Sequence, residues 1–236
     1  MKVICAGFPK TGTTSLAEAL QVLGYNVYDF TEHLTFHRQE WLDSFGTDRL
    51  PNFKEMYQGV DAITDTPPAF WFEEIAAVFP EAKVILTVRD SEEVWLESWK
   101  RQRQFINDWP FYVKIALWWS NDGPYFHAMR TAIFGSSNPE ATALFRKKYR
   151  QHNERVQAVI PAERLLVYNV KQGWKPLCEF LGCDLPSIQF PRANVGQALW
   201  KKFYVEYAAK AKSAITYIFL LGVLLFAAVI TAKFTG

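Results

Sequence analysis

The stretch from Val3 to Leu16, V-I-C-A-G-F-P-K-T-G-T-T-S-L, constrains the fold more than any other part of the chain. A short apolar run, Val3 to Ala6, breaks into a turn holding Gly7, Pro9 and Gly12. Thr13, Thr14 and Ser15 then lead into Leu16-x-x-Ala19-Leu20-x-x-Leu23, closed by Gly24. That order predicts strand, phosphate loop, helix. The glycines let the backbone curl so that several N–H groups point inward. The helix N-terminus adds the positive end of its dipole, and Lys10 brings a full charge to the same concavity. A phosphate-like anion fits such a turn. A loop that hydrolyses ATP or GTP carries its lysine directly after the second glycine, whereas here Gly12 is followed by Thr13-Thr14 and the lysine stands two residues before it.

Pro9-Lys10-Thr11-Gly12-Thr13-Thr14 resembles the 5'-phosphosulfate loop of sulfotransferases that use 3'-phosphoadenosine 5'-phosphosulfate as donor. The resemblance implies that Pro9, Lys10, Thr11, Gly12, Thr13 and Thr14 bind the donor, with Lys10 and the hydroxyls on its bridging and sulfonate-side oxygens. Further along, Thr64-Asp65-Thr66-Pro67 is similar to a T-H-L-P strand end that supplies the catalytic histidine in the cytosolic members, with aspartate in the histidine's place. Aspartate can accept the acceptor's proton, but with a reference pKa near 3.9 it needs burial or a late proton transfer to be useful. Its structural alternative is a helix cap or a side chain that holds the neighbouring loop.

Lys83-Val-Ile-Leu-Thr-Val-Arg-Asp reads as a buried strand ending at Arg89. In the family an arginine after this strand and a serine eight residues later grip the donor's 3'-phosphate. Arg89 fits, while Ser98 comes nine residues later, with Glu97 in the eighth place, and serves only after a helix adjustment. A structural salt bridge is the other reading of Arg89. G-W-x-P-L-C-x-F-L-G at 173–182 and F-P-R-x-N at 190–194 are similar to the end of the sulfotransferase-like branch found in fungi, algae and marine animals. The R-K-G loop that completes the 3'-phosphate site in cytosolic members is absent, and Arg192 or Lys171 would stand in for it.

Between these places apolar strands alternate with helical patterns. Tyr25–Phe30 and the start of Val60–Pro68 read as strands. Thr31–Phe45, Asn52–Gln58, Pro68–Phe79 and Pro139–Val159 read as helices, and Arg164–Val170 as a last strand. The expected architecture is a three-layer α/β fold of P-loop type with a mainly parallel sheet. His33 and His37, spaced i and i+4, lack the third ligand and the intervening glutamate of a zinc motif, so no metal is expected there. Residues 105–138, dense in aromatics, read as core, as a wall for an apolar acceptor, or as a membrane-facing surface.

The 236 residues are 50% hydrophobic, enough for one substantial core. With 26 Lys plus Arg against 24 acidic residues, no overall basicity argues for nucleic acid. Cys5, Cys178 and Cys183 lack metal-ligand spacing and are expected to be buried free thiols. The first strand begins at once, which leaves no room for a secretion signal. Ser213–Ala232 carries no charge and would make a helix about 30 Å long, the thickness of a bilayer core.

Lys201, Lys202, Lys210 and Lys212 precede that span and Lys233 follows it. The bias predicts a tail anchor with the main domain in the cytosol. The expected organisation is thus a sulfotransferase-like domain at 1–195, an interfacial segment at 196–212 and a transmembrane helix at 213–232. The resemblance implies sulfonate transfer to a hydroxyl or amine of a lipophilic or membrane-bound acceptor, without a metal. A phosphoryl-transferring P-loop enzyme and a membrane-anchored nucleotide-binding scaffold without turnover are the competing readings.

Overall fold

The computed structural model describes residues 1–193 and 197–234, with side chains through Leu225. Asn194, which closes the F-P-R-x-N motif, and Gly196, which opens the expected interfacial segment, lie outside the described residues. In chain order the elements are β1 (Val3–Cys5), α1 (Thr13–Val22), β2 (Val27–Tyr28), α2 (Phe30–Phe36), α3 (Arg38–Gly46), α4 (Phe53–Met56), β3 (Ala62–Ile63) and α5 (Phe72–Val78). They continue with β4 (Lys83–Thr87), α6 (Glu92–Asn107), α7 (Phe111–Trp119), α8 (Asp122–Phe134), α9 (Thr142–Val159), β5 (Leu165–Tyr168), α10 (Trp174–Leu181) and α11 (Ala198–Phe234). The chain divides into two compact units, Met1–Gln104 with Tyr125–Gly196, and Phe105–Pro124 with Gln197–Gly236.

In the first unit the strands form a five-stranded sheet in the order β2-β3-β1-β4-β5, with every pairing parallel. A parallel sheet needs cover on both faces. The pleat supplies it by alternation: Val3, Cys5 and Ile85 lie in one core with Leu16 and Leu20 of α1 and Leu177 of α10. Ile4, Val84 and Leu86, one residue out of step, are fully buried on the other face, where α5 packs against β1. This is the three-layer α/β arrangement expected. The chain leaves β1 to build β2 and β3 on one side and then β4 and β5 on the other. Ligands of such sheets lie at the carboxyl ends of the strands beside this change of direction.

Several elements differ from the sequence pattern. The helix expected from Thr31 to Phe45 is two helices, α2 and α3, broken at His37 with φ −130°. The break lets the His37 ring pack on Tyr28 and Tyr57, at centroid distances of 5.8 and 5.9 Å. The helix expected from Pro68 starts at Phe72, because Asp65 and Pro67 first accept turn bonds from the N–H groups of Ala69 and Phe70 at 3.0 and 2.9 Å. The loose stretch at 105–138 is largely helical. Pro110 caps α7 and Pro124 falls in the first turn of α8, where a missing N–H breaks no helical bond. All three cysteines are free, with Cys5 and Cys178 buried as expected and Cys183 exposed.

In the second unit α7 packs along α11. Trp109 lies against Trp200, Tyr204 and Tyr207, with centroids 6.3, 5.6 and 6.3 Å away, and the Tyr207 hydroxyl donates to the Asp122 carboxylate. Between Ala211 and Leu225 the apolar side chains of α11 face outward: Ile215 is 55% exposed, Phe219 69% and Leu225 68%. This helix is long and apolar enough to cross a membrane.

Candidate active site

The carboxyl ends of the strands gather the chemistry. Ala6 follows β1, Asp29 follows β2, Asp65 stands two residues past β3 and Arg89 two residues past β4. The loop from Ala6 to Gly12 is held in shape from below. His152, stacked on Phe8 at 3.8 Å, donates from Nε2 to the Ala6 carbonyl at 2.6 Å, and burial pushes its pKa down to about 4, so it stays neutral. Trp95 donates from its indole to the Pro9 carbonyl at 2.9 Å. Thr11 is fully buried, with its hydroxyl donating to the Phe8 carbonyl at 2.6 Å and lying 2.6 Å from the Thr87 hydroxyl. It braces the loop from inside.

Two glycines are required by space. A Cβ on Gly7 would sit 1.8 Å from Thr87 Oγ1, so a side chain there would part β1 from β4. Gly12 has φ +108°, and a Cβ there would meet both methyls of Val170 at 2.7 Å. Lys10 also takes a left-handed φ of 72°. No side chain caps α1. The first-turn N–H groups, including those of Thr13 and Thr14, have no acceptor inside a helix. A narrow loop, an uncapped helix start and a lysine therefore meet in one concavity, the physical requirement for holding a phosphate or sulfonate.

On one flank stand the cations. Arg89 Nε donates to the Lys10 carbonyl, tying the end of β4 to the loop. Burial lowers the Lys10 pKa; the Asp65 charge opposes that, and Arg89 and Arg101 add to it. Arg89 is lowered first by burial and also feels Arg101. Ser98 lies on the buried face of α6 with Trp95 and Trp99, one turn before Gln102, and among the described residues no hydrogen bond links it to the loop. Lys171 is ion-paired with Asp90, whose other oxygen accepts from Asn169 at 2.8 Å.

The other flank is acidic. Thr13 Oγ1 donates to Asp65 Oδ2 at 2.6 Å, and Thr66 donates to Asp65 Oδ1 from its backbone N–H at 2.7 Å. Asp65 itself has φ 63° and is buried. Burial raises its pKa, with the Thr13 bond the largest opposing influence. Beside it Asp29 accepts from Thr64 Oγ1 at 2.6 Å, and burial followed by the Asp65 charge pushes it up to about 7. Protonation of either carboxyl therefore favours ionisation of the other.

The structure brings Pro9 to Thr14, Asp65 and Arg89 together, and it adds Asp29 and Arg101, which motif reading missed. Asp29 fell inside the run Tyr25–Phe30 that reads as a strand, and only the end of β2 at Tyr28 sets it at the strand's edge. Arg101 had no sequence signal, since its approach to Lys10 and Arg89 follows from the path of α6.

Comparison with known proteins places the chain in a family. The family described as a sulfotransferase domain matches residues 2–199. A curated relative from Aspergillus versicolor, Ava biosynthesis cluster protein M, is 32% identical over 208 residues, covering 81% of this chain and 80% of the relative. The chain belongs to the sulfotransferase family and is a transferase.

Proposed function

We propose that the protein transfers a sulfonate group from 3'-phosphoadenosine 5'-phosphosulfate to a hydroxyl or amine of a small, largely apolar acceptor. The observation that carries this reading is the uncapped start of α1 with Lys10 above it, braced by Arg89 on one side and linked through Thr13 to Asp65 on the other. The residues fit an anionic nucleotide: Gly7 and Gly12 let the loop close against Thr87 and Val170, and Lys10, Arg89 and Arg101 place three cations together.

The donor supplies the sulfonate and departs as 3'-phosphoadenosine 5'-phosphate. Lys10 and the N–H groups of Thr13 and Thr14 stabilise the negative charge that grows on the leaving phosphate oxygen. Arg89, with Arg101 and, given a helix adjustment, Ser98, holds the 3'-phosphate. Asp65 receives the acceptor's proton. Its Oδ2, which accepts from Thr13, keeps a second lone pair, whereas Oδ1 accepts from both the N–H and the hydroxyl of Thr66, and its raised pKa makes it a better base than an exposed aspartate. Thr13, bonded to Asp65, sets the distance between base and loop.

We infer further that α11 anchors the chain in a membrane through residues 213–232, with 196–212 at the interface and domain 1–195 in the cytosol. The exposed apolar side chains of α11 from Ile215 to Leu225 and the four lysines that precede residue 213 support this. Protease added to sealed vesicles should digest the main domain; full protection would reverse the orientation.

Calorimetry of 3'-phosphoadenosine 5'-phosphate with the full chain in detergent tests the donor site. Binding on the order of micromolar is expected, with loss in Lys10→Ala and Arg89→Ala. Failure to bind, with ATP preferred instead, would favour phosphoryl transfer.

A further inference from the structure

Two arginines of the first unit lie outside the group assigned to the donor. Trp99 of α6 and Phe134 of α8 meet with ring centroids 4.8 Å apart. One helical turn beyond Trp99 comes Arg103, and one turn before Phe134 comes Arg130. Both guanidinium Nε atoms are buried and lack a hydrogen-bond partner among the described residues. Arg103 also reaches the Ser137 carbonyl, at a long 3.4 Å. Among the described residues no carboxylate forms an ion pair with either arginine, although surface arginines such as Arg150 and Arg155 have theirs. Burial lowers the pKa of Arg103, and burial together with the Arg103 charge pushes Arg130 down to about 9, so both stay charged at neutral pH. Two adjacent half-buried cations whose Nε atoms are shut off from water destabilise a fold unless an anion joins them.

The position of Arg130 says where that anion belongs. Phe126, Arg130 and Phe134 fall at i, i+4 and i+8, on one face of α8. Phe126 stacks on Phe30, the residue after Asp29, at 5.9 Å, while Phe134 meets Phe8 of the loop at 5.1 Å. Arg130 therefore sits midway along a helix face that runs from the carboxylate flank to the loop flank of the sheet's edge. Lys10, Arg89 and Arg101 act on one another, whereas Arg103 acts on Arg130.

We propose that Arg103 and Arg130 bind the carboxylate of the sulfonate acceptor, which is an apolar acid bearing the reactive hydroxyl or amine. The proposal rests on the sulfotransferase reading for the acceptor's role, but the anion site itself does not. The test uses the full chain in detergent, saturated with 3'-phosphoadenosine 5'-phosphate, titrated with benzoate and with its neutral counterpart benzamide. Benzoate should bind at least about tenfold more tightly, and Arg130→Met and Arg103→Met should each erase that preference while leaving nucleotide affinity within about twofold. In the ligand-free protein Arg130→Met should raise the Tm, because it removes an unpaired buried charge.

Equal or undetectable binding of the two probes, or a lowered Tm in ligand-free Arg130→Met, would overturn the proposal. A tenfold loss of nucleotide affinity in either variant would do so too, by giving the site to the donor. If the parent binds no nucleotide, the donor reading fails, while the benzoate preference and the Tm shift still decide the anion site.

Discussion

The two flanks of β1 carry opposite charge. Toward β4 stand Arg89 and Arg101 beside Lys10; toward β3 and β2 stand Asp65 and Asp29. Burial works against both sets, lowering Lys10 and raising both carboxylates. Each flank steadies the charge of the other across Thr13, whose hydroxyl joins the loop helix to Asp65. The contrast teaches that the site is built as a divided field. A cationic half suits a donor rich in phosphate, and an acidic half suits an acceptor that must lose a proton.

Substitutions that break one half at a time should separate these tasks. Asp65→Asn should have the largest effect, lowering kcat by roughly 10²- to 10⁴-fold with nucleotide affinity nearly kept, as stopped-time sulfonate transfer would show. Lys10→Ala should lower kcat by about 10²- to 10³-fold and weaken nucleotide binding as well. Arg89→Ala should act mainly on the donor, raising the calorimetric Kd of 3'-phosphoadenosine 5'-phosphate by roughly tenfold to a hundredfold. Gly7→Ala tests the seam between the halves: with a Cβ forced to 1.8 Å from Thr87 Oγ1, it should cost about 1–3 kcal/mol in denaturant unfolding.

The smallest effect is expected from Asp29→Asn. The folded pKa near 7 lies above the ordinary aspartate value of 3.8, so the parent loses stability as pH rises from about 4 through 7. The asparagine variant should escape that loss, matching the parent near pH 4 and exceeding it above pH 7 in thermal melts. Removing the neighbouring charge should also move the acid limb of the rate profile to lower pH, since Asp65 would ionise more readily. An unchanged limb would show that the two carboxylates do not share a proton during turnover.

Much of the loop was legible because its chemistry is local. Gly7, Lys10, Gly12 and the following hydroxyls occupy one short segment whose backbone alone makes the proposed anion cradle. Arg89 was legible for a similar reason, as the end of a strand whose apolar run is unmistakable. Asp29 was not, because the two-residue strand before it, Val27–Tyr28, carries little signal, and its neighbour Asp65 is 36 residues away. The helices at 111–134 were obscured by Pro110 and Pro124, which read as breakers until each proves to lie at a helix start.

By itself the sequence determined the strand, loop and helix at the start of the chain, the alternating α/β plan and the uncharged stretch 213–232 of the C-terminal helix. Each follows from periodicity and backbone chemistry within a window of about twenty residues. Only the tertiary structure decided that β3 lies between β2 and β1, which sets Asp29 beside Asp65. It also decided that α6 brings Arg101 toward Lys10 and that Arg103 and Arg130 share a buried seam. Charges far apart in the chain become neighbours through strand order and helix packing, and the energy of their encounter depends on burial that no local pattern records.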